Sequence, residues 1–205
     1  MKKILIYGPF FTNYSLANVN RNLAIELAKL AEFEVKVGCR PDEIDYFPTS
    51  IELPKRDDLK DLVELELGSY DIVIFNNFPK TVNNALGLKN LPGKIKIPFL
   101  AWEDSIYPQN WVKEINENAN AVLVVSSFVK EVLEKSGVTL PVFVLPLGVD
   151  PLMVPQSVKG GLGSSKKVKF LHISTSKERK GVDILIKAFT NEFSSLDDVS
   201  LIIKS

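Results

Sequence analysis

The sequence predicts an α/β protein with parallel sheets, because short apolar runs rich in β-branched residues alternate with amphipathic helical segments. The stretch 121–151 is the clearest case, since an apolar run, an amphipathic segment and a second apolar run follow one another there. A helix that joins two parallel strands forms a βαβ unit. Ligands of such folds lie beyond the carboxyl ends of the strands, so the loops that follow the strands are the first place to look for a site.

Within this stretch, 122–125 predicts a strand buried on both faces, and 142–145 predicts the next strand of the same sheet. Ser126 or Ser127 can cap the helix between them, and Gly137 can close it. The predicted apolar face of that helix consists of Phe128, Val129, Val132 and Leu133.

Composition sets limits on the class of protein. The 205 residues allow one or two domains, and 45% apolar residues are ample for packed cores. The 25 basic and 25 acidic residues give no net charge, which offers no argument for nucleic acid or an acidic membrane surface as a partner. Cys39 is the single cysteine, which excludes an internal disulfide and suits the reducing cytoplasm.

The chain begins with a predicted strand at 3–7, a loop that starts at Gly8, and a helix that Ser15 can cap. Strand, glycine loop and helix outline a phosphate cradle, because a helix N-terminus offers unpaired N–H groups and a partial positive charge. One glycine is a weaker indication than the three-glycine dinucleotide fingerprint. The expected apolar stripe of the helix is Leu16, Val19, Leu23, Leu27 and Leu30, with Asn18, Arg21, Asn22 and Glu26 on other faces.

Further buried strands are predicted at 34–38, 70–75 and 94–101. A polar loop at 41–45, a short edge strand at 51–53 and a helix at 57–65 lie between the first two of these. Asn76 and Asn77 follow a strand end and could line a site, but asparagine is so common in turns that the sequence favours a simple turn.

The loop after the strand 94–101 has an unusual composition, with Trp102, Glu103, Asp104, Tyr107 and Trp111 close together. Aromatic faces beside carboxylates suit sugar rings, since the ring face stacks while charged groups bind the hydroxyls. Two interpretations stay open at this point. Either this loop binds a sugar, or Trp111 anchors the helix 109–119 in the core and Asp104 caps a local turn.

The stretch 152–167 lacks a hydrophobic period and is rich in proline, glycine, serine and lysine, so it predicts a linker between a domain at 1–151 and a second one at 168–205. The second domain holds strands at 168–173 and 199–203 with a helix between them. Its sheet would keep an open apolar edge through which the chain could self-associate. We therefore expect a piece of a longer protein.

Lys177, Arg179 and Lys180 stand just before the N-terminus of that helix, where the peptide dipoles disfavour cations. A bound diphosphate would offset this cost by pairing with the cations and the helix N–H groups together. The alternative is that the side chains extend into water, where the cost is screened. His172 lies within a strand, so a packed or hydrogen-bonded role is expected for it rather than a catalytic one.

Several segments together resemble the retaining, nucleotide-sugar-dependent glycosyltransferases of family 4 (group 1), which have the GT-B fold of two Rossmann-like domains facing each other across a cleft. The matching segments are the N-terminal strand with its glycine loop, VVSSFVKEVLEKSGV, the hinge LPLGVDP, and ERKGVDILIKAF. The helix 15–27 with Val19-Asn20-Arg21 and the loop WED…PQNW look like one subset of that family. This resemblance implies a GT-B-like α/β chain, with one Rossmann-like domain followed by the first βαβ unit of another.

The resemblance also implies roles for individual residues. Lys180, with Arg179, would contact the donor diphosphate, Gly8 would let the first loop approach the donor and acceptor, and the acceptor side would hold Asn18, Trp102 and Trp111. Two positions depart from the family's pattern: Ser174 stands where many members have an arginine, and Trp102-Glu103 where many have a histidine. Glu103 is therefore the expected polar group beside the reacting sugar.

The function expected from this resemblance is transfer of a sugar from a nucleotide-diphosphate donor to a hydroxyl acceptor, such as a glycan or lipid-linked sugar, in cell-surface glycan synthesis. The expected location is the cytoplasm, with peripheral association of the longer protein at the inner membrane face. The nucleotide-sugar is a substrate, and neither a cofactor nor a metal is expected, since Cys39 has no second cysteine with which to form a metal site.

The 205 residues alone are expected to be inactive, because most of the donor domain lies outside them. Two alternatives remain from other classes: a non-catalytic carbohydrate-binding module, and a sugar-nucleotide epimerase.

Overall fold

The computed structural model describes residues 1–12, 15–39, 56–64, 66–77, 87–149, 163–174 and 177–204. The chain forms two compact units, Met1–Gly148 and Val149–Ser205. The predicted loop 41–45, the edge strand 51–53, the boundary at 151 and most of the linker 152–167 fall outside the described residues and stay predictions.

The first unit alternates strands and helices along the chain, as the sequence predicts. Its strands are β1 (Lys2–Tyr7), β2 (Phe33–Gly38), β3 (Tyr70–Phe75), β4 (Gly93–Leu100), β5 (Val122–Val124) and β6 (Val142–Val144). Its helices are α1 (Ser15–Ala28), the short α2 (Arg56–Leu59), α3 (Gln109–Asn118) and α4 (Ser127–Lys135), and a 3-10 turn at Leu88–Asn90 precedes β4.

These six strands form one parallel sheet in the order β2-β1-β3-β4-β5-β6. The chain moves outward from β1 to β2 and then returns to place β3 on the other side of β1. The strand order therefore reverses between β1 and β3, and this reversal is the topological switch point at which open α/β sheets bind ligands.

Helices cover both faces of the sheet, and two apolar cores result. Ile4 and Ile6 of β1 belong to the core that includes Ala24 of α1, whereas Leu5 and Tyr7 belong to the core that includes residues of α3 and α4. Successive strand residues point to opposite faces, so a strand between two helical layers needs apolar side chains at every position. The near-continuous apolar runs of the sequence have this cause.

The structure shows which serine caps α4, a choice that the sequence leaves open. Ser126, not Ser127, is the N-cap, because its Oγ accepts a hydrogen bond from the backbone N–H of Val129 at 3.3 Å. Gly137 follows the helix with φ +103°, a conformation that favours glycine. Phe128 was predicted on the apolar face but is 49% exposed, since the buried stripe is Val129, Val132 and Leu133.

Two other helix predictions are corrected. The helix expected at 57–65 ends at Leu59, and Val63 instead forms a parallel bridge to Val37 of β2. The stripe expected for α1 extends one turn too far, because the helix ends at Ala28 and Leu30 is 45% exposed.

The second unit contains β7 (Val168–Ile173), a 3-10 turn at Glu178–Lys180, α5 (Val182–Glu192) and β8 (Val199–Lys204). The two strands pair in parallel, which makes this segment a βαβ unit, as predicted. Phe170 of β7 packs against Phe189 and Phe193, with ring centroids 5.9 and 5.8 Å away. In the part of the chain that the structure describes, no helix is long and apolar enough to cross a membrane.

Candidate functional site

The loop that begins at Gly8 lies at the switch point of the first sheet. Gly8 N donates to Gly38 O, and Asn76 N donates to the carbonyl oxygen of the preceding residue, Tyr7, each at 3.0 Å. A Cβ at Gly8 would lie 2.6 Å from the backbone oxygen of Asn76 and 2.8 Å from Asn20 Nδ2. Only glycine allows the ends of β1 and β3 to approach α1 this closely.

A buried pair of amides joins the two strand ends to α1. Asn76 Nδ2 donates to Asn20 Oδ1 at 2.8 Å, and Asn20 Nδ2 donates to Pro9 O at 2.9 Å. Both side chains are almost fully buried, and the hydrogen bond between them, with that to Pro9 O, offsets the cost of burying them. The sequence favours a simple turn for Asn76, and this interpretation is wrong, because the side chain takes part in the buried network.

Arg21 reaches from α1 back to the loop that precedes its own helix. Its Nη1 donates to Phe10 O and, at 2.9 Å, to Thr12 O. The side chain is 3% exposed, and burial lowers the pKa of the guanidinium from its ordinary value. The sequence places Arg21 on a face of α1 other than the leucine stripe, and the structure shows that this face is buried.

The sequence does indicate the buried face of α1, although the leucine-rich stripe is the more obvious pattern. The buried positions of α1 are Ala17, Asn20, Arg21 and Ala24, which follow the i, i+3, i+4, i+7 spacing of one helix face. Two alanines at the ends of such a face let the helix approach the sheet closely, and the polar residues between them then meet backbone rather than water. The leucine-rich stripe is only partly buried.

The aromatic residues after β4 form a compact cluster. Trp102 meets Tyr107 at 4.9 Å and Trp111 at 5.7 Å between ring centroids, both edge to face, and Tyr107 meets Trp111 at 5.7 Å. Trp102 Nε1 donates to Ile106 O at 3.0 Å, which closes the loop 102–106. Both tryptophans are half-buried and pack against the core, so the role of core anchor foreseen for Trp111 is confirmed.

The end of this loop is attached to α4. Tyr107 N donates to Ser136 Oγ at 3.0 Å, and Gln109 Nε2 donates to Ser136 O at 2.9 Å. Asp104 Oδ1 accepts from the adjacent Ser105 N at 2.6 Å, so the predicted cap of a local turn stays a prediction. Glu103 and Asp104 are both exposed, so the carboxylates face solvent beside a rigid aromatic base.

The pH dependence of stability gives a test of this aromatic base. Burial raises the pKa of the Tyr107 phenol well above its usual range, whereas the phenol of the unfolded chain ionises near pH 10. Above that pH the unfolded chain releases a proton that the folded chain keeps. The free energy of unfolding should therefore fall by up to ~1.4 kcal/mol per pH unit, and Tyr107→Phe should remove this contribution.

Urea midpoints measured from pH 8 to 11 would check the expectation for Tyr107. Equal decreases for the wild type and Tyr107→Phe would contradict it. Tyr70, whose pKa burial also raises, is present in both proteins and cancels from the comparison.

The basic residues of the second unit lie where the sequence puts them. Arg179 and Lys180 are exposed in the 3-10 turn, and Gly181 follows in the left-handed conformation, with φ +64°, to begin α5. No side chain caps the N-terminus of α5. His172 and Ser174 form a hydrogen bond of 2.7 Å between Nε2 and Oγ, which confirms the hydrogen-bonded role expected for His172.

The first unit therefore has two groups of candidate residues: Gly8 with the buried network beneath its loop, and Trp102 and Trp111 beside Glu103. Asn18 is exposed on α1, where its oxygens accept from Asn22 Nδ2 at 2.8 and 3.2 Å. Arg179 and Lys180 belong to the second unit. Among the described residues, no three His, Cys, Asp or Glu side chains are grouped as metal ligands would be.

Comparison with solved structures gives a match over almost the whole chain. The structure of Anabaena Alr3699/HepE in complex with UDP and glucose aligns with 99% of this chain and 60% of its own length, with a TM-score of 0.63 and 16% identity. The chain has a GT-B-like α/β fold. It spans about 60% of the HepE chain. A scan against protein-family models and a search of curated proteins found no match.

The GT-B-like fold confirms the fold class that the sequence predicts. The likeness lies in the structure, because the sequence identity is low. At 16% identity few side chains are shared, so what persists is the order of strands and helices. Roles of individual residues remain predictions.

Proposed function

We propose that this chain contributes the acceptor domain, and the start of the donor domain, of a glycosyltransferase that uses a nucleotide-diphosphate sugar. The observation that carries the proposal is the Gly8 loop at the switch point of the sheet, in a fold shared with a protein that was solved with UDP and glucose. Loops at this position are where open α/β sheets bind ligands.

The finer proposal is a retaining enzyme of family 4 (group 1) that acts on a hydroxyl acceptor in cell-surface glycan synthesis, in the cytoplasm at the inner membrane face. It rests on the motif resemblance of the hinge LPLGVDP and of ERKGVDILIKAF. The reaction breaks the bond between the sugar and the diphosphate, so groups that stabilise the departing diphosphate are its main requirement.

Lys180 and Arg179 are the proposed donors to that diphosphate, together with the N–H groups at the start of α5. Their exposure and the uncapped helix N-terminus support this role, because a bound anion can reach both. Glu103 is the proposed group beside the reacting sugar. Asn18, Trp102 and Trp111 are proposed for the acceptor, since each is at least partly accessible.

Titration of the chain with UDP, GDP and ADP by calorimetry tests the donor site. We expect one of them to bind, and Lys180→Ala to weaken that binding by about ten- to a hundredfold, as a lost charged hydrogen bond would. Lys187→Ala is the matched control, because Lys187 is an exposed lysine further along the same helix. Equal affinity in all three proteins would reject the proposed role of Lys180.

The same titration separates the alternatives. A carbohydrate-binding module would bind oligosaccharides without any nucleotide, and absence of nucleotide binding in the wild type would favour it. An epimerase would convert the donor into its isomer without an acceptor, which chromatography of the nucleotide-sugar would detect.

A further inference from the structure

We propose that Arg21 is a positioning residue, whose buried guanidinium holds the loop 8–12 in the shape that binds ligand. This inference rests on the proposed function, since the ligand is the nucleotide-sugar or its acceptor. Arg21 is the most deeply buried cation among the described residues. We assign it to the site at the switch point, where its side chain contacts the backbone of the loop.

The hydrogen bonds of the Arg21 side chain go to the loop 8–12. One nitrogen, Nη1, donates to the carbonyl oxygens of Phe10 and Thr12, and the adjacent Asn20 donates to that of Pro9. Two consecutive residues of α1 thus bind three of the loop's carbonyl groups. These bonds fix the orientation of successive peptide groups, and so determine which groups the loop turns toward a ligand.

The energetics indicate a role beyond packing. In the part of the chain that the structure describes, no carboxylate pairs with Arg21, and its buried Nε has no hydrogen-bond partner. A buried charge is costly unless hydrogen bonds satisfy it. Among the described residues, the groups that satisfy Arg21 are the carbonyls of Phe10 and Thr12, so the charge and the loop are held by the same contacts.

Hydrogen exchange of the ligand-free chain measures this role without depending on any ligand. Arg21→Met removes the donor and the charge but keeps an unbranched apolar side chain. We expect exchange in peptides covering 8–12 to rise about tenfold, because two backbone hydrogen bonds to a charged donor are lost. Exchange in α3, α4 and the second unit should not change.

Arg21→Lys is the conservative variant. Both bonds come from a single nitrogen, so a lysine ammonium can replace at least one of them. It should restore loop protection to within about threefold of the wild type. Lys29→Met is the matched control, because it removes an exposed cation just after the same helix.

The second readout is nucleoside diphosphate affinity by calorimetry with UDP, GDP and ADP. Faster loop exchange with affinity reduced about tenfold in Arg21→Met, and recovery of both in Arg21→Lys, would support the inference. Unchanged loop exchange, or a uniform rise across the first unit, would overturn it. If the loop loosens but no nucleotide binds even the wild type, Arg21 holds the loop and the proposed function is wrong.

Discussion

Gly8→Ala should destabilise the first unit by ~1–3 kcal/mol, the usual cost of forcing extra atoms into a packed site. The new Cβ would lie 2.6 Å from the backbone oxygen of Asn76 and 2.8 Å from Asn20 Nδ2. A flexible side chain could move away, but the carbonyl belongs to Asn76, which directly follows β3 and whose N–H donates to Tyr7 O of β1. The strand ends must separate, so nucleotide affinity should fall as well.

Gly68→Ala is the control for this substitution. No atom lies within 4 Å of its Cβ position, and the residue is exposed. Alanine there should leave stability unchanged or raise it by ~0.4–1 kcal/mol, through the loss of freedom in the unfolded chain. Urea denaturation of both variants tests this prediction. Equal urea midpoints would show that the structure accommodates a Cβ at Gly8 without loss of stability.

Phe10→Ala should have a larger effect, a loss of ~3–5 kcal/mol, since it leaves a cavity where an aromatic ring was fully buried. Phe10 is 0% exposed although it belongs to a loop, and it packs in the same core as Ile4 and Ala24. The ring thus fixes the loop from one side while the hydrogen bond from Arg21 holds the carbonyl of the same residue. Ligand binding should be lost along with stability.

Phe128→Ala provides the comparison for Phe10→Ala, because it deletes the same ring at a position that is 49% exposed. Its cost should be below ~1 kcal/mol. Trp102 and Trp111 are the two tryptophans of the chain and both lie in the first unit, so their fluorescence in urea follows that unit by itself. Similar losses for the two phenylalanines would contradict the burial difference on which the prediction rests.

Several strands were predictable because their apolar side chains are buried: β1 has four consecutive buried residues, and the last three residues of β3 are buried. Residues 70–75 and 168–173 have the bounds that the sequence predicts, and the other described strands differ by one residue at one or both ends. An apolar run bounded by polar or turn-forming residues indicates a strand even at β7, most of whose residues are exposed. The sequence also places a loop after each of the strands 94–101 and 168–173, and the structure has the loop 102–108 and the 3-10 turn Glu178–Lys180 there.

The network beneath the Gly8 loop could not be predicted in the same way. Helical periodicity reports which residues are apolar, so it places Arg21 outside the leucine stripe without indicating that an arginine, a residue seldom buried, is buried there. Burial of Asn20 and Arg21 depends instead on carbonyl groups that the loop presents and on Asn76, which is 56 residues away along the chain. Contacts of that separation are set by the packed fold rather than by local pattern.

Just after the loop 102–106, the hydroxyl of Ser136 accepts a hydrogen bond from Tyr107 N, and its carbonyl accepts one from Gln109 Nε2. These two hydrogen bonds hold the start of α3 to the end of α4. A displacement of α4 would then carry Tyr107 with it, and the ring contacts of Tyr107 would pass the motion to Trp102 and the neighbouring Glu103. The helix before the edge strand β6 can in this way set the position of a carboxylate more than twenty residues earlier in the chain.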